Sequence, residues 1–255
     1  MIFTFLGTGT SGGVPMIGCK CRVCSSENPR DKRLRSSIMV ENDSARVVID
    51  TGPDFRQQML RENVDSLNGV VFTHEHKDHI AGLDDIRAFN YHQKGSMDVY
   101  ATLRVQEALK REFFYVFSEV SYPGIPKITL LTIDERPFKI SGLPFIPIPV
   151  MHMNLPVFGF RMGNFTYITD ANHIDDNAKK LIRGSEVIVL NALRKEKHVS
   201  HYNLDEAVEL LDEFRPKQGY LTHISHQLGL HEEVNMNLPD YIKCAYDGLK
   251  IEMNN

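Results

Sequence analysis

The sequence predicts an α/β fold of four layers, two β-sheets face to face with helices outside each, αββα. Three observations predict it. Short apolar, β-branched runs and helix-periodic stretches follow one another in a strands-then-helices order, and that order occurs in both halves. A strand–helix–strand unit is legible between Arg46 and Phe72. Between a strand and a helix lies one polar turn, Thr73 to His79, reading Thr-His-Glu-His-Lys-Asp-His.

That turn holds His74, His76, Asp78 and His79, three histidines and an aspartate within six positions. Leu67, Val70, Val71 and Phe72 before it read as a buried strand. Ile80, Leu83, Ile86 and Phe89 after it are spaced as one face of a helix. In extended backbone side chains alternate with period two, so His74 and His76 face the same way. Asp78 and His79 leave from the start of the helix and face a second point nearby. Imidazole and carboxylate together suit zinc, manganese or iron. A polar helix cap with surface histidines does not account for so many ligands so close together.

The chain has 255 residues, enough for a single domain over 1–255 with a sizeable core. Hydrophobic residues are 42% and charged residues 24%, ordinary for a globular chain. The formal net charge of -4 offers no broad basic surface and argues against long nucleic acid as a partner. No apolar run approaches the roughly 20 residues that span a bilayer, so no membrane partner is expected. The start, Met-Ile-Phe-Thr-Phe-Leu-Gly, has no basic leader and no cleavage site, and a cytoplasmic protein is expected. Three of the four cysteines lie within six residues, which in a reducing compartment points to metal rather than disulfides.

In order, Ile2 to Leu6 reads as a strand and Gly7 to Gly13 as a tight loop. Its Gly-x-Gly lacks the Lys-Ser/Thr of a phosphate cradle, so its backbone is expected simply to pass close to the site. Cys19-x-Cys21-x-x-Cys24 supplies three thiolates for a structural zinc, one short of a closed site, with Cys244 or a histidine to complete it. Ser36 to Val40 and Arg46 to Asp50 read as strands, Asp54 to Leu60 as a capped helix. Asp50, at a strand end, either orients a ligating histidine or caps a turn. Met97 to Ala101 is a strand, and Val105 to Phe117 a helix with Phe113, Phe114 and Phe117 in the core. Arg87, Tyr91 and His92 stand as substrate neighbours by position alone.

Residues 118–150 carry Pro123, Pro126, Pro137, Pro144, Pro147 and Pro149 and read as loops and edge strands. Phe145 to Val150 alternates and ends at His152; Val157 to Met162 and Phe165 to Thr169 form a hairpin ending at Asp170. His173 to Ile182 and Leu204 to Phe214 are helices; Glu186 to Leu190 and Gly219 to Leu221 are strands, the second running into His223. Tyr241 to Tyr246 and Leu249 to Met253 close the chain as edge strands.

His74-x-His76-x-Asp78-His79, with a strand before it and a helix after, resembles the signature of the metallo-β-lactamase superfamily. The resemblance implies the metallo-β-lactamase fold. It implies one metal on His74, His76 and His152, another on Asp78, His79 and His223, and Asp170 bridging them. An Asp at 170, not a Cys, is the form of the hydrolase and phosphodiesterase branches and argues against a true β-lactamase. The early Gly-Thr-Gly, the Cys19-x-Cys21-x-x-Cys24 run and the histidine motif together resemble PhnP-type cyclic-phosphate phosphodiesterases, relatives of the transfer-RNA 3′-processing nucleases. This resemblance runs over nearly the whole chain. In that branch a histidine three residues past the last active-site ligand completes the cysteine zinc site; here that is His226, favoured over Cys244. His201 matches the branch's extra histidine, for phosphate contact or general acid work; the competing reading makes His198 and His201 surface residues.

The resemblance therefore implies a metal-dependent hydrolase cleaving a small or cyclic phosphodiester. Two divalent ions, zinc or manganese, about 3.5 Å apart would supply hydroxide from a shared water, with Asp78 and His201 taking part in catalysis and one further zinc structural. The alternatives are a transfer-RNA 3′-processing endoribonuclease and a thioester or lactone hydrolase. The long arm with which the processing nucleases grip transfer RNA is not evident. Dimers are frequent in the family, and a homodimer is expected on that ground.

Overall fold

A computed structural model describes residues 1–119 and 122–253. The first half of the chain builds one sheet. β1 (Ile2–Gly7), β2 (Ser37–Glu41) and β3 (Arg46–Ile49) form an antiparallel meander. β4 (Gly69–Val71), β5 (Met97–Ala101) and β6 (Ile128–Thr132) extend it in parallel. Parallel neighbours need crossovers, which helices supply. α1 (Phe55–Arg61) joins β3 to β4, α2 (Lys77–Ile80) and α3 (Arg87–Gln93) join β4 to β5, and α4 (Leu103–Glu112) and α5 (Phe114–Phe117) join β5 to β6.

The second half repeats the plan. β7 (Phe138–Ile140), β8 (Leu143–His152), β9 (Leu155–Met162) and β10 (Phe165–Tyr167) are antiparallel. β11 (Val187–Asn191), β12 (Gln218–Thr222) and β13 (Ile242–Cys244) continue in parallel through α6 (Asp176–Ile182), α7 (Leu204–Phe214) and α8 (His231–Met236). β14 (Lys250–Glu252) crosses back to pair with β1. The sheets run β14-β1-β2-β3-β4-β5-β6 and β13-β12-β11-β10-β9-β8-β7.

Three apolar layers hold these elements together. Phe3, Phe5, Val40, Val47 and Val71 of the first sheet meet Phe145, Phe160, Phe165 and Tyr167 of the second. Phe3 stacks on Phe165 with centroids 3.7 Å apart. Outside the first sheet, Phe55, Met59, Ile80, Leu83, Ile86, Phe89, Val105 and Leu109 cover Leu6, Val48 and Val70. Outside the second, Ala178, Ile182, Ala207 and Leu211 cover Ile188, Leu190 and Leu221. This is the αββα sandwich. At about 1.5–3 kcal/mol for each fully buried large side chain, these layers are the main driving force for folding. Among the described residues no helix is long and apolar enough to cross a membrane.

The departures from the sequence pattern have local causes. The helix after the motif is three pieces, α2, a 3-10 turn Leu83–Ile86, and α3, although all four of its periodic apolar residues are buried. It breaks where Gly82 packs on Gly52: a Cβ on Gly82 would lie 2.1 Å from Gly52 O, and one on Gly52 would lie 2.2 Å from Asp78 O. The helix read as Val105 to Phe117 breaks at Phe113, and Phe114 is 70% exposed rather than core. Asp54 does not cap α1; its carboxylate accepts from the Arg35 amide and guanidinium instead. Pro147 and Pro149 lie inside β8, in the strand that the alternation of Phe145–Val150 marks. β7 pairs only Leu143–Phe145, so both prolines stand where β9 alone is registered against β8. Residues 120 and 121 of the proline-rich stretch lie outside the described residues.

One buried cation ties the chain's ends to the cysteine loop. Arg33, 4% exposed, donates to Thr8 Oγ1, the Ala245 carbonyl and His231 Nδ1. A guanidinium only donates, so His231 must accept and be neutral. Burial first, then the adjacent Arg33 charge, pull His231 down to about 4; Arg30 acts the same way, Glu232 and Asp31 the other. A folded value below the ordinary 6.5 means the unfolded chain binds more protons between the two. His231 therefore stabilises the fold fully above the ordinary value, and this is lost as pH falls toward 4. The stability difference between wild type and His231→Asn, read from denaturant midpoints, should shrink over that window; a flat difference would refute it. Separately, Gly52→Ala should cost about 1–3 kcal/mol by forcing the Asp78 backbone away. An unchanged unfolding midpoint would mean that the two loops part freely.

Candidate metal centre

The histidine and carboxylate residues of the centre leave strands at or just past their C-terminal ends, where open α/β sheets gather their ligands. Asp50 follows β3, the histidine motif follows β4, His152 ends β8, Asp170 follows β10 and His223 follows β12. Asp50, Asp170 and His223 all have positive φ, at 65°, 54° and 54°. Left-handed backbone in a non-glycine residue costs about 1–3 kcal/mol and is kept where geometry is over-determined by its surroundings. Here it turns three strand ends toward one point. Ser37 Oγ secures one of them by donating to the Ile49 and Asp50 carbonyls at 3.0 and 2.8 Å.

The side chains converge in two adjoining groups. His74, His76 and His152 bring their ring nitrogens within 4.8 Å of one another; Asp78, His79, Asp170 and His223 do the same. Asp170 also joins His152 and His201 in a third group, so one carboxylate links both sides. Asp170 Oδ2 lies 3.2 Å from His79 Nε2 and 3.1 Å from His223 Nδ1.

Second partners fix which nitrogen faces inward. Asp50, fully buried, accepts from the Thr73 amide at 2.8 Å, from Thr73 Oγ1 at 2.7 Å and from His79 Nδ1 at 2.7 Å. His79 therefore presents Nε2 to the centre. Having donated its hydroxyl proton to Asp50, Thr73 Oγ1 accepts from His74 Nδ1 at 2.9 Å, and His74 presents Nε2 as well. His152 Nδ1 donates to the Ser200 carbonyl at 2.7 Å. Carboxylate–histidine and carbonyl–histidine pairs of this kind orient metal ligands and raise their basicity.

The residues fit a divalent cation. His79 Nε2 is buried with no hydrogen-bond partner, 3.2 Å from the carboxylates of both Asp78 and Asp170. The bare Nε2 of His74 faces His76 Nδ1 at 3.1 Å. Two lone pairs so placed repel unless a cation or proton lies beside them. The charges tell the same story. Burial lowers the His74 pKa well below 6.5, aided by His79, so its ring is neutral. Burial would raise Asp170, but the His223 and His79 charges hold it well below the usual carboxylate range. Burial would lower His79, and the carboxylates of Asp170, Asp78 and Asp50 overcome it and raise it well above 6.5. The site thus carries carboxylate charge that only bound cations or protons neutralise.

His201 lies inside the centre, its ring centroid 4.6 Å from His152 and 4.7 Å from His223. Burial and the His223 charge push it down to about 3. Its Nδ1 is buried without a partner, 3.8 Å from Asp170 Oδ1. His198 stands behind it, tied to Ser200 Oγ and outside the ligand groups. His76, the exposed ligand, opens with His152 into a cleft of about 380 Å³ whose walls include Glu75, Arg104, Asn154 and Ser200.

Cys19, Cys21, Cys24 and His226 form a separate group within 4.8 Å, with His226 Nδ1 3.2 Å from Cys21 Sγ and 3.5 Å from Cys19 Sγ. Three sulfurs and one imidazole fit a closed tetrahedral zinc site. Cys244 is buried elsewhere, near Arg33. The Gly7–Gly13 loop runs between the two sites. Its Thr10 amide bonds the Ile224 carbonyl, and Thr10 Oγ1 lies 3.3 Å from His223 Nε2.

The sequence pattern misses several partners. Thr10, Thr73, Thr169 and the Ser200 carbonyl all touch ligands, and only Thr73, adjoining the motif, carried a signal. Arg87, Tyr91 and His92, read as substrate neighbours by position, stand outside the ligand groups. They line surface grooves on α3 that include none of the clustered ligands.

Asp50→Asn tests the orienting carboxylate, since asparagine tolerates positive φ and keeps the volume. It should weaken metal binding by about ten- to a hundredfold. Competition with a chromogenic chelator measures it, and wild-type affinity would sink the role assigned to Asp50.

Residues 45–224 match the family model described as the beta-lactamase superfamily domain. A solved structure described as a new diphosphatase from the PhnP family is 41% identical, with the match covering 99% of this chain and 98% of that one at a TM-score of 0.93. The short form of human tRNase Z shares the fold at 18% identity and a TM-score of 0.71, with full coverage of both chains. An octanoyltransferase of Porphyromonas gingivalis is 38% identical over 248 residues, 96% of this chain but 50% of that protein. The chain spans about half the length of the first curated relatives it matches. On the family model and the 41% identical structure, the chain belongs to the β-lactamase superfamily and, within it, to the PhnP-like branch.

Proposed function

We propose that the chain is a metal-dependent phosphodiesterase acting on a small phosphodiester. The observation that carries this is Asp170, a carboxylate of the Asp78–His79–His223 group that also meets His152 of the other. His74, His76 and His152 would hold one ion, and Asp78, His79 and His223 the other, with Asp170 between. Bound there, divalent ions generate a nucleophile from water at neutral pH and neutralise charge developing on a phosphoryl oxygen. Imidazole and carboxylate donors accept zinc and manganese alike. Cys19, Cys21, Cys24 and His226 would hold a structural zinc.

The chain's own residues do the rest. Asp50 and Thr73 keep His79 and His74 aimed inward. His201 is neutral on its own, but an anionic phosphoryl group beside it favours the imidazolium. It then donates to a phosphate oxygen or protonates the departing alkoxide. Asp78, beside His79 at the mouth of the second group, would hold its ion against the reacting group. The relative described as a PhnP-family diphosphatase supports phosphorus as the target. A net charge of -4 and a cleft of about 380 Å³ favour a small diester over transfer RNA. The octanoyltransferase name does not carry over, because half of that protein lies outside the match.

The test is hydrolysis of bis(p-nitrophenyl) phosphate by protein stripped of metal and then reloaded with zinc or manganese. Turnover should vanish and return with metal, and Asp170→Ala or His76→Ala should lower it by about a thousandfold, several kcal/mol of lost stabilisation. No turnover by protein carrying two ions per centre would overturn the reading in favour of thioester or lactone hydrolysis. Salt-sensitive transfer-RNA binding with cleavage would favour the nuclease instead.

A further inference from the structure

The Gly7–Gly13 loop is clamped too closely for a connection that only passes by. A Cβ on Gly7 would lie 1.9 Å from the Arg35 carbonyl oxygen, and one on Gly9 2.9 Å from those of Arg33 and Leu34. The two glycines let the loop lie flat between the chain before β2 and the chain after β12. On one side the Gly9 amide donates to the Leu34 carbonyl at 2.7 Å, and the Gly9 carbonyl accepts from the Ser36 amide and Ser36 Oγ, each at 3.0 Å. On the other, the Ile224 amide donates to the Thr8 carbonyl at 2.9 Å and the Thr10 amide to the Ile224 carbonyl at 3.1 Å. The Thr10 backbone is thus fixed on the residue that follows His223. The two threonines of the loop face different partners. Thr8 Oγ1 donates to Asp247 and accepts from Arg33. Among the described residues the Thr10 hydroxyl has one partner, His223 Nε2 at 3.3 Å.

His223 meets the centre the other way round from His74 and His79. Its Nδ1 lies 3.1 Å from Asp170 Oδ2 and 3.4 Å from Thr169 Oγ1. Thr169 gives its hydroxyl proton to Asp170 at 2.6 Å, so both groups beside Nδ1 are acceptors. Alone, they draw the imidazole hydrogen to Nδ1. An ion held by that nitrogen needs it bare, and the neutral ring then carries its one hydrogen on Nε2. His223 is 1% exposed, so that hydrogen needs an acceptor within the protein. Thr10 Oγ1 is the acceptor in place.

We propose that Thr10 is the positioning residue of His223, holding the ring's hydrogen on Nε2 so that Nδ1 is free for an ion. This rests on the metal reading above, in which His223 holds an ion, and not on which ester is cleaved. Thr73 stands in the same relation to His74, with the ring reversed. The Gly-Thr-Gly run then has a task other than cradling phosphate. Its glycines press the loop against Ile224, and the clamped backbone presents one hydroxyl to one ligand.

The experiment uses Thr10→Val, which keeps the branched shape and removes the acceptor, with Thr10→Ser as the rescue. Manganese(II) added to metal-stripped protein and followed by paramagnetic resonance of the free ion reports the histidine–carboxylate centre, because thiolates take this ion weakly. Thr10→Val should bind the weaker of the two ions about ten- to a hundredfold less tightly than wild type, and Thr10→Ser should recover most of the loss. Cobalt(II)–thiolate charge-transfer absorption should show the cysteine site unchanged in both variants. Nitrogen-15 NMR of the zinc-loaded wild type should place the His223 hydrogen on Nε2. Wild-type affinity in Thr10→Val would overturn the proposal, as would an equal loss in Thr10→Ser or a hydrogen found on Nδ1. A matching loss at the cysteine site would also overturn it, since the loop would then act as a whole and not through one hydroxyl. If wild type itself takes up no ion at the centre, the metal reading falls and this role falls with it. Binding intact in both wild type and Thr10→Val removes the role alone.

Discussion

The Asp50 carboxylate is the constraint from which the rest of the centre follows. It is fully buried, and burial of a charge is tolerated only where donors surround it. Three donors do: the Thr73 amide, the Thr73 hydroxyl and His79 Nδ1. The same contacts decide tautomers in both ligand groups, directly at His79 and through Thr73 at His74. One carboxylate outside the ligand set thus orients a ligand in each group. Its left-handed backbone is part of the arrangement, because a regular strand residue would send the side chain to a sheet face instead of along the strand end.

The sandwich makes this affordable. Burial of aromatic and branched side chains between the sheets, and of helix faces outside them, gives a rigid frame that over-determines the strand ends. Strain at Asp50, Asp170 and His223 is sustained by that frame rather than by the loops. Gly52 and Gly82 bring the Asp50 loop against the motif helix at a distance that any side chain would prevent. The break in that helix is a consequence of the contact.

Much of this was legible in the sequence because the ligands crowd into a short motif and the helices are amphipathic. Leu204–Phe214 has the same bounds in sequence and structure, helped by a capping box from Asn203 and Glu206. The order of strand ends carrying Asp50, His152, Asp170 and His223 was equally readable. What was not legible depends on contacts between distant segments. α8 is only six residues long with no side-chain cap, so periodicity had nothing to register. Phe114 is aromatic yet exposed, because the chain kinks at Phe113 and turns it outward. Asp54 has the type and place of a cap, but Arg35, remote in sequence, claims it. Arg104 looks like any helix-surface arginine until the fold brings it to Glu75.

The electrostatics link the centre to proton concentration in a definite direction. With carboxylates Asp78 and Asp170 both within 3.2 Å of His79 Nε2, this ring holds a proton to high pH when nothing else neutralises them. A cation at the same place requires the bare nitrogen, so the ion and the proton compete for one position. Asp50 does not compete in this way, because it binds Nδ1, which keeps its hydrogen in either state. A cation loaded there would displace the Nε2 proton without needing the Nδ1 hydrogen bond to break. The acceptors of both groups are thus aimed at the place a cation would take before one arrives.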